Sequence, residues 1–483
     1  MPLQQALDIN RGELYFLINL LLAYPLAFVH RRFTSSPMQR HLMSLAVGLV
    51  YGCMVFGVES VHFLITSVFA YLALRFLPRE RVVLGVKVQA HMVVYVCSMV
   101  YLFVGHIYTT YFHYMEFSLN WAASQMMLTI KLTGSAYDYF DGTAPDASKL
   151  DPEQRERCVT KLPSLLEWLS YCYFFPTLLV GPPCGLSEYL AFTDRSMFKN
   201  EPGGQIPSCL TWNGLGRKLC VAAGALTYHF LHVKYNVLYS TTPEFMTHSF
   251  LYRFFYVIVT TELSFEHYYF GWSNAEGACV MAGLAYNGRD KQGRVLWDRV
   301  DLIWLWTMRC AQNGAVVGRA WNVLGARWLR NTVYMRLADR SSSTSRRHAA
   351  QMATFLVSAF WHGFYPGFYL SFLSFAYLNI ASQMATKLLR PIFISADGKR
   401  QSRLKPAYDV VTWFLTQTCF YYCANPFKMF SVHNVLATWG AIYYCFHVGG
   451  TVLMVFYLLF GSQLRQLHMD RSNSVAVTEK KLQ

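Results

Sequence analysis

Apolar runs of about the length needed to cross a lipid bilayer recur along the chain, and they constrain its fold more than any other feature. The first four runs are Leu14 to Val29, Leu42 to Val58, Val61 to Leu77 and Val86 to Val104. Inside a membrane every backbone polar group must be satisfied within the protein, and an α-helix of about 20 apolar residues does this while spanning the bilayer. The pattern predicts an all-α, polytopic integral membrane protein with about ten to twelve transmembrane or re-entrant helices.

The composition favours one membrane domain over several soluble ones. Hydrophobic residues make up 54% of the 483 residues and charged residues only 14%, whereas soluble domains carry roughly 25% charged residues. Length alone would suggest about three soluble domains, but the apolar runs are spread evenly. We therefore expect a single membrane-embedded domain over residues 1–483, in which residues 462–483 form the tail.

The charge balance is basic, because lysines and arginines give a formal net charge of +15. No basic patch falls on an amphipathic soluble module, so we do not expect nucleic acid as a partner. In a membrane protein the excess fits loops that obey the positive-inside rule, and it attracts anionic headgroups and polyanionic substrates. The twelve cysteines are scattered without a C-x-x-C pair, so we expect no metal site.

One ionisable residue, His362, lies inside a long apolar run from Ala349 to Ser382. A polar group in hydrocarbon is costly, so an ionisable side chain at membrane depth is a functional candidate. A hydrogen-bonded structural histidine is the competing interpretation. Gly363, Pro366 and Gly367 follow, and they predict a bend or break of the helix with open space beside the ring.

A second polar residue in an aromatic setting, Asn322 after Trp321, stands 40 residues before His362, and Trp328-Leu329-Arg330 follows it. The arrangement resembles the signature of the membrane-bound O-acyltransferases, or MBOATs. Further segments resemble the lysophospholipid acyltransferase branch of that family, and most of all its lysophosphatidylcholine acyltransferase type 3 (type 5) group. These segments are Asp138 to Gly142, Pro163 to Glu167, Val180 to Pro182 and Gly283 to Gly288. The chain departs from many relatives at Gly325, where they carry a threonine.

The resemblance implies the MBOAT fold and an acyl-CoA:1-acyl-glycerophospholipid O-acyltransferase. Such an enzyme transfers an acyl chain to the free glycerol hydroxyl of a lysophospholipid, here the choline form and also the ethanolamine or serine forms, in phospholipid remodelling. Its partners are acyl-CoA, the lysophospholipid and membrane lipids; acyl-CoA is a co-substrate, and no cofactor is implied. His362 would act as the general base. Asn322 would orient the imidazole or stabilise the oxyanion. Self-association into a homo-oligomer stays open.

The expected substrate-binding residues surround these two. They are three tryptophans and two arginines: Trp321, Trp328, Trp361, Arg330 and Arg336. From Trp328 to Arg336 large apolar and basic residues alternate at helical spacing. This pattern is typical of an interfacial amphipathic helix, and it also fits a cytosol-facing helix whose arginines bind the phosphates of coenzyme A. The two interpretations are compatible.

The C-terminus ends in Lys480-Lys481-Leu482-Gln483, which resembles the dilysine retrieval signal of endoplasmic-reticulum membrane proteins. A signal of this kind is read in the cytosol, so we expect a multi-pass protein of that membrane with a cytosolic C-terminus. Counting back two spans places the basic stretch from Lys387 to Lys405 on the same side. Arg347 is expected to mark the cytosolic interface of the membrane. From there to His362 a helix would rise roughly 22 Å, which puts His362 inside the hydrocarbon core.

Two alternatives remain at this stage. An MBOAT could act on another acceptor, namely a sterol, a diacylglycerol or a protein. A transporter could use the intramembrane residues Lys131, Asp138, Glu262 and Glu266 to line a pathway. Glu262 and Glu266 are four apart and are expected to share a helix face, where pairing with arginine or tyrosine is a more common role than acid–base catalysis.

Overall fold

The computed structural model describes residues 11–482, apart from 84–85, 113, 116–119, 147, 149, 339–341 and 395–400. The described chain is helical almost throughout, as predicted. A short antiparallel hairpin pairs Glu80–Val83 with Val86–Gln89. The chain divides into two compact units: the first comprises Met1–His229, Phe265–Leu302 and Val323–Phe364, and the second comprises Phe230–Ser264, Ile303–Asn322 and Tyr365–Gln483.

The α-helices of the first unit follow the apolar runs, with shorter helices between them. They are Arg11–Phe33, Pro37–Phe56, Val61–Phe76, Ala90–Phe112, Trp121–Gly142, Pro152–Arg157, Leu165–Cys172, Phe175–Leu178, Leu186–Thr193, Glu266–Ala282, Val323–Leu329, Met335–Leu337 and Thr344–His362. The helix Arg217–Lys234 begins in the first unit, and its residues from Phe230 onwards are assigned to the second. A π-helical turn, Arg330–Tyr334, joins Val323–Leu329 to Met335–Leu337, so the backbone stays helical from Val323 to Leu337.

The second unit is built mainly from the C-terminal third of the chain. Its helices are Phe250–Leu263, Leu305–Arg309, Gly314–Ala320, Pro366–Phe393, Lys405–Ala424, Pro426–Met429, Val432–Ala441 and Cys445–Leu482. Short 3-10 turns, Val237–Thr241 and Glu244–Thr247, precede the first of them.

Four helical segments of the described chain are long and apolar enough to cross a membrane: Arg11–Phe33, Pro37–Phe76, Ala90–Phe112 and Cys445–Leu464. Only 11% to 44% of their most apolar windows is buried inside the protein. Exposed apolar faces of this size would be unstable in water, but a bilayer covers them. Other helices, such as Trp121–Gly142 with 22 residues and Pro366–Phe393 with 28, are long enough to span but more polar.

Aromatic side chains fill the core of the first unit. Phe174 packs against Tyr189 and Phe192 with ring centroids 5.5 and 5.6 Å apart, and all three are almost fully buried. Trp168 is fully buried as well, and its indole N–H donates to the carbonyl of Ser67 at 2.9 Å. Rings of this size bury large apolar areas, and the indole still needs a hydrogen-bond acceptor.

Several predicted runs are interrupted in the structure. The run from Phe250 to Phe270 is two helices, Phe250–Leu263 and Glu266–Ala282. The prediction that Glu262 and Glu266 share a helix face is therefore wrong. The last apolar run of the sequence, Trp439 to Gly461, is also broken, because Tyr443 and Tyr444 have positive φ angles of 55° and 49°. An apolar run in the sequence thus predicts a membrane-embedded segment, but it does not show whether that segment is one continuous helix.

The basic stretch from Lys387 to Lys405 is not one loop. Lys387 and Arg390 belong to the last turns of the helix Pro366–Phe393, while Lys399 and Arg400 lie outside the described residues. At the C-terminus the backbone is helical to Leu482, but the side chains of Lys480 and Lys481 also lie outside the description. The single domain over residues 1–483, the tail and its orientation stay predictions.

Candidate active site

The candidate histidine occupies the end of a helix. Thr344–His362 stops at His362 because Gly363 has φ +119°, a left-handed conformation that favours glycine. The next helix begins at Pro366, where a proline fits the first turn. The predicted break after His362 is therefore confirmed, and the imidazole, which is partly buried, belongs to the final turn of a helix whose second half is apolar.

The residue before it, Trp361, is anchored from neighbouring helices. Its side chain is 2% exposed, and its indole N–H donates to the carbonyl of Met126 at 3.0 Å. The backbone carbonyl of Trp361 accepts a hydrogen bond from Nε2 of His106 at 2.9 Å. The Trp361 ring lies 4.6 Å from the His362 ring, centroid to centroid. The position of His362 is therefore set by a neighbour that is fixed through both its side chain and its backbone.

A second tryptophan, Trp328, completes this cluster. It packs against Trp361 with centroids 5.9 Å apart, in a buried group that includes Met99, Leu102 and Ile130. Its indole N–H donates to the hydroxyl of Thr133 at 2.9 Å. Among the predicted substrate-binding residues, the structure thus brings Trp328 into contact with Trp361, which lies beside His362. The two tryptophans are 33 residues apart, and the sequence pattern does not predict their contact.

The candidate asparagine has an unusual backbone. Asn322 has φ +44° and lies between the helices Gly314–Ala320 and Val323–Leu329. Asparagine tolerates the left-handed region better than most residues, but it is still disfavoured there, and such conformations concentrate at functional sites. Trp321, just before it, packs its ring against Phe420 at 5.9 Å. Trp321 and Asn322 belong to the second unit and His362 to the first, so pairing of the Asn322 and His362 side chains stays a prediction.

The glycines near these residues play different parts. Gly325, which replaces the family threonine, is buried within Val323–Leu329. A Cβ atom on Gly363 would come within 3.2 Å of Nδ1 of His106, and one on Gly367 within 2.2 Å of the carbonyl oxygen of Pro426. The predicted open space beside the His362 ring stays a prediction, because these distances describe the surroundings of the glycines and not of the ring. Both glycines allow close approach of a neighbouring group.

Trp328 also lines a cavity of about 60 Å³, which has room for a few water molecules and a partly polar wall. Its lining includes Lys131, Asp138, Arg157, Glu188, Arg327, Trp328 and Arg336. Asp138 pairs with Arg157 at 3.3 Å. Arg336 binds both carboxylate oxygens of Asp141 through its two terminal nitrogens, at 2.9 and 2.6 Å.

The basic helix from Val323 to Leu337 carries three arginines that differ in their ion pairing. Arg336 is locked to the buried Asp141, with 25% of its side chain exposed. Arg330 pairs with Glu153 at the surface, where the two side chains are 44% and 36% exposed. Arg327 lines the cavity, and within the described part of the chain it shows no ion-pair partner. The Asp138 and Asp141 segment, noted in the sequence as a family segment, thus supplies two of the local counter-charges.

The segment from Gly283 to Gly288 has a structural role in the first unit. Gly283, with φ +107°, ends the helix Glu266–Ala282. The hydroxyl of Tyr286 donates to Glu201 at 2.6 Å, and Arg289 binds the same carboxylate at 3.0 and 2.6 Å. The Arg289 guanidinium, and after it the Tyr286 hydroxyl, hold the pKa of the Glu201 carboxyl below its usual range. These bonds tie the turn to an earlier loop.

The family is decided by comparison with known proteins. The sequence profile of the MBOAT, membrane-bound O-acyltransferase family, matches residues 106–424, well over half of the chain. The chain belongs to this family. As an MBOAT it is an O-acyltransferase of membranes, and the matched residues include His106, Asn322 and His362.

Relatives of the MBOAT family match this chain almost from end to end. A lysophospholipid acyltransferase of Schizosaccharomyces pombe is 29% identical over 481 residues, which cover 95% of this chain and 88% of that protein. A protein of the same name from Saccharomyces cerevisiae is 29% identical over 485 residues, covering 95% and 76%. The human membrane-bound glycerophospholipid O-acyltransferase 2 is 28% identical over 478 residues, covering 94% and 86%. The finer resemblance to the type 3 group stays a prediction.

The transporter alternative does not fit an MBOAT, and the four residues behind it have structural partners. The ammonium of Lys131 donates to the carbonyl of Tyr171 and the hydroxyl of Thr177, both at 2.7 Å. Asp138 has its arginine partner, as described above. Glu262 binds Arg309, and Glu266 lies 3.7 Å from the ring nitrogens of His229 and His267. The expectation that these carboxylates pair inside the bundle is confirmed for Glu262.

Sequence reasoning missed His106, which contacts the carbonyl of Trp361. It lies in the helix Ala90–Phe112, just beyond the end of the predicted apolar run, and is 7% exposed. The rule that singled out His362, an ionisable ring at membrane depth, applies equally to His106. The contact itself joins residues 255 apart, and no spacing rule predicts it.

Proposed function

We propose that this MBOAT is an acyl-CoA-dependent lysophospholipid acyltransferase that acts in phospholipid remodelling. It transfers a fatty acyl chain to the free glycerol hydroxyl of a lysophospholipid, with acyl-CoA as co-substrate and no further cofactor. The names of the relatives support the acceptor class. The observation that carries the chemical part is the placement of His362 at the end of a helix whose second half is apolar, beside an anchored tryptophan and a left-handed glycine.

His362 serves as the general base. Its neutral imidazole accepts the proton of the glycerol hydroxyl while that oxygen attacks the thioester carbonyl, so a C–O bond forms and the carbonyl oxygen becomes an oxyanion. The C–S bond then breaks, and the coenzyme A thiolate takes the proton from the ring. General base catalysis of this kind contributes typically about 10²–10⁴-fold.

Asn322 acts in the same step. Its amide either orients the imidazole or donates a hydrogen bond to the oxyanion, a contribution of order 3 kcal/mol in comparable sites. The left-handed backbone of Asn322 supports a functional role, because a disfavoured conformation is retained where the surrounding structure and the function require it.

The two substrates reach the site by different routes. The polyanionic head of acyl-CoA binds from the cytosol near the basic helix that carries Arg327, Arg330 and Arg336, while Trp321, Trp328 and Trp361 flank the acyl group. The lysophospholipid enters sideways from the bilayer. This arrangement suits an endoplasmic-reticulum membrane protein with a cytosolic C-terminus, which the dilysine pair Lys480 and Lys481 supports.

The decisive experiment measures acyl transfer by the purified protein in detergent or nanodiscs. Radiolabelled acyl-CoA is offered with lysophosphatidylcholine, lysophosphatidylethanolamine, lysophosphatidylserine and lysophosphatidylinositol, and separately with a sterol and with diacylglycerol. We expect turnover with one or more lysophospholipids and none with the other two acceptors. Turnover with the sterol or diacylglycerol alone would overturn the acceptor class while keeping the family chemistry.

A further inference from the structure

The ring of His106 is hydrogen-bonded to the backbone beside His362. It lies in the helix Ala90–Phe112, and its Nε2 lies 2.9 Å from the carbonyl oxygen of Trp361. A carbonyl oxygen only accepts hydrogen bonds, so Nε2 must carry the proton. The helix Thr344–His362 ends one residue later, and its last four carbonyls have no partner within the helix. His106 therefore satisfies a helix-end carbonyl at membrane depth, where an unpaired one would be costly.

The other face of the contact is Gly363. A Cβ atom at that position would lie 3.2 Å from Nδ1 and 3.4 Å from Cγ of His106. The His106 ring thus occupies the space that a side chain at residue 363 would need. His106 therefore donates a hydrogen bond to the residue before His362 and lies beside the glycine after it.

The hydrogen bond from His106 is one of two contacts that hold Trp361 in place. The indole of Trp361 is held by the carbonyl of Met126, from the helix Trp121–Gly142, at 3.0 Å. The backbone of Trp361 is held by His106, from a different helix. With the backbone and side chain of residue 361 both fixed, little freedom remains for the direction in which the next side chain points.

We propose that His106 is a positioning residue for acyl transfer, which fixes the orientation of the His362 ring by donating a hydrogen bond to the carbonyl of Trp361 and by packing beside Gly363. The inference rests on the proposed role of His362 as general base. His106 does not need to touch substrate. A misplacement of about 1 Å at a reacting group can reduce a rate on the order of 10²-fold, so the loss of this anchor should appear in kcat.

The test compares His106→Gln with His106→Asn in the full-length purified protein. Both are polar amides, but the amide nitrogen of glutamine reaches about as far as Nε2, whereas that of asparagine corresponds to Nδ1 and falls short of the Trp361 carbonyl. We expect H106Q to keep most of the wild-type kcat and H106N to lose at least about tenfold. The KM values for acyl-CoA and for the lysophospholipid should change less than about twofold in both.

His91→Asn is the matched control. His91 lies in the same helix, is 5% exposed and packs against Phe140 and Tyr137 with centroids 3.9 and 4.6 Å apart. H91N should lower the unfolding temperature about as much as H106N while leaving kcat near wild type. Equal kcat in H106Q and H106N, or an equal fall of kcat in H91N and H106N, would overturn the proposal.

A second background separates this inference from the proposed function. In His362→Ala, adding H106N should cause no further fall in the residual rate, because there is no longer a ring to orient. If H362A itself retains wild-type turnover, the proposed base is wrong. If H362A is inactive and H106Q and H106N still do not differ, the base stands and only the positioning role of His106 fails.

Discussion

The polar residues of this protein are held in two different ways. His362 and Asn322 lie at helix junctions next to left-handed backbone, at φ +119° for Gly363 and +44° for Asn322 itself. Near the cavity that Trp328 lines, by contrast, Asp138 and Asp141 lie in one helix and pair with Arg157 and Arg336. The junction residues are aimed by backbone geometry and aromatic packing, while the cavity residues are fixed by charge.

This difference separates candidates for chemistry from residues that hold the fold. An ion pair neutralises both members and uses their hydrogen-bonding groups, so little of either remains for a substrate. A residue at a helix junction projects a side chain whose direction is set by the backbone conformation and by the packing of its neighbours. Polarity alone, which is what a sequence displays, does not distinguish the two cases.

The largest expected effect is the loss of the junction histidine. His362→Ala should reduce acyl transfer by at least about 10²-fold, because it removes the proposed general base. The measurement is kcat at saturating acyl-CoA and lysophospholipid. His348→Ala, an exposed histidine in the same helix, should be close to wild type. Wild-type turnover in H362A would place the junction histidine among the structural residues.

The second junction residue is expected to show a smaller loss. Asn322→Gly removes the amide while relieving the left-handed backbone, so a fall in activity reports the amide and not strain. We expect kcat to fall on the order of 10²-fold with little change in the KM for acyl-CoA. Asn322→Asp tolerates the same backbone and serves as the control for shape. Wild-type kcat with weakened acyl-CoA binding in N322G would make Asn322 a binding residue.

The charge-held region should respond in stability rather than in rate. Asp141→Asn leaves Arg336 without its carboxylate in a mostly buried site, which should lower the free energy of unfolding by about 2 kcal/mol. Glu153→Gln breaks the exposed pair with Arg330 and should cost less than about 1 kcal/mol. Both are measured by thermal unfolding in detergent. Equal shifts in D141N and E153Q would show that burial does not distinguish the two pairs.

Most of the fold, but only part of the candidate site, could be predicted from the sequence. The all-α membrane character and the break after His362 follow from apolar length and from Gly363 and Pro366. The helix break between Glu262 and Glu266 could not be predicted in this way, because the residues on both sides of that turn are largely apolar. The contacts of His106 with Trp361 and of Arg336 with Asp141 join residues 255 and 195 apart. Side-chain partners at such separations are fixed by packing, which local patterns do not encode.

The smallest expected effect is a change in the KM for acyl-CoA when an arginine of the basic helix is reversed in charge. It tests whether the arginine outside the ion pairs near the cavity is the one that binds this substrate. Arg327 lines the cavity without a carboxylate partner among the described residues, whereas Arg330 already pairs with Glu153. Charge reversal in Arg327→Glu should therefore raise the KM for acyl-CoA about threefold at low salt and less at high salt, since exposed charges are screened within about 10 Å at 0.1 M.

Arg330→Glu, the matched variant on the same helix, should raise the KM for acyl-CoA less, because Glu153 already offsets much of its charge. The KM for the lysophospholipid should stay nearly constant in both, since that substrate arrives through the bilayer. Saturation curves for each substrate at two salt concentrations give the four values needed for each variant. Equal weakening for both substrates would assign these arginines to the fold. A larger effect of R330E than of R327E would place the head of acyl-CoA at the surface around Glu153 rather than near Arg327.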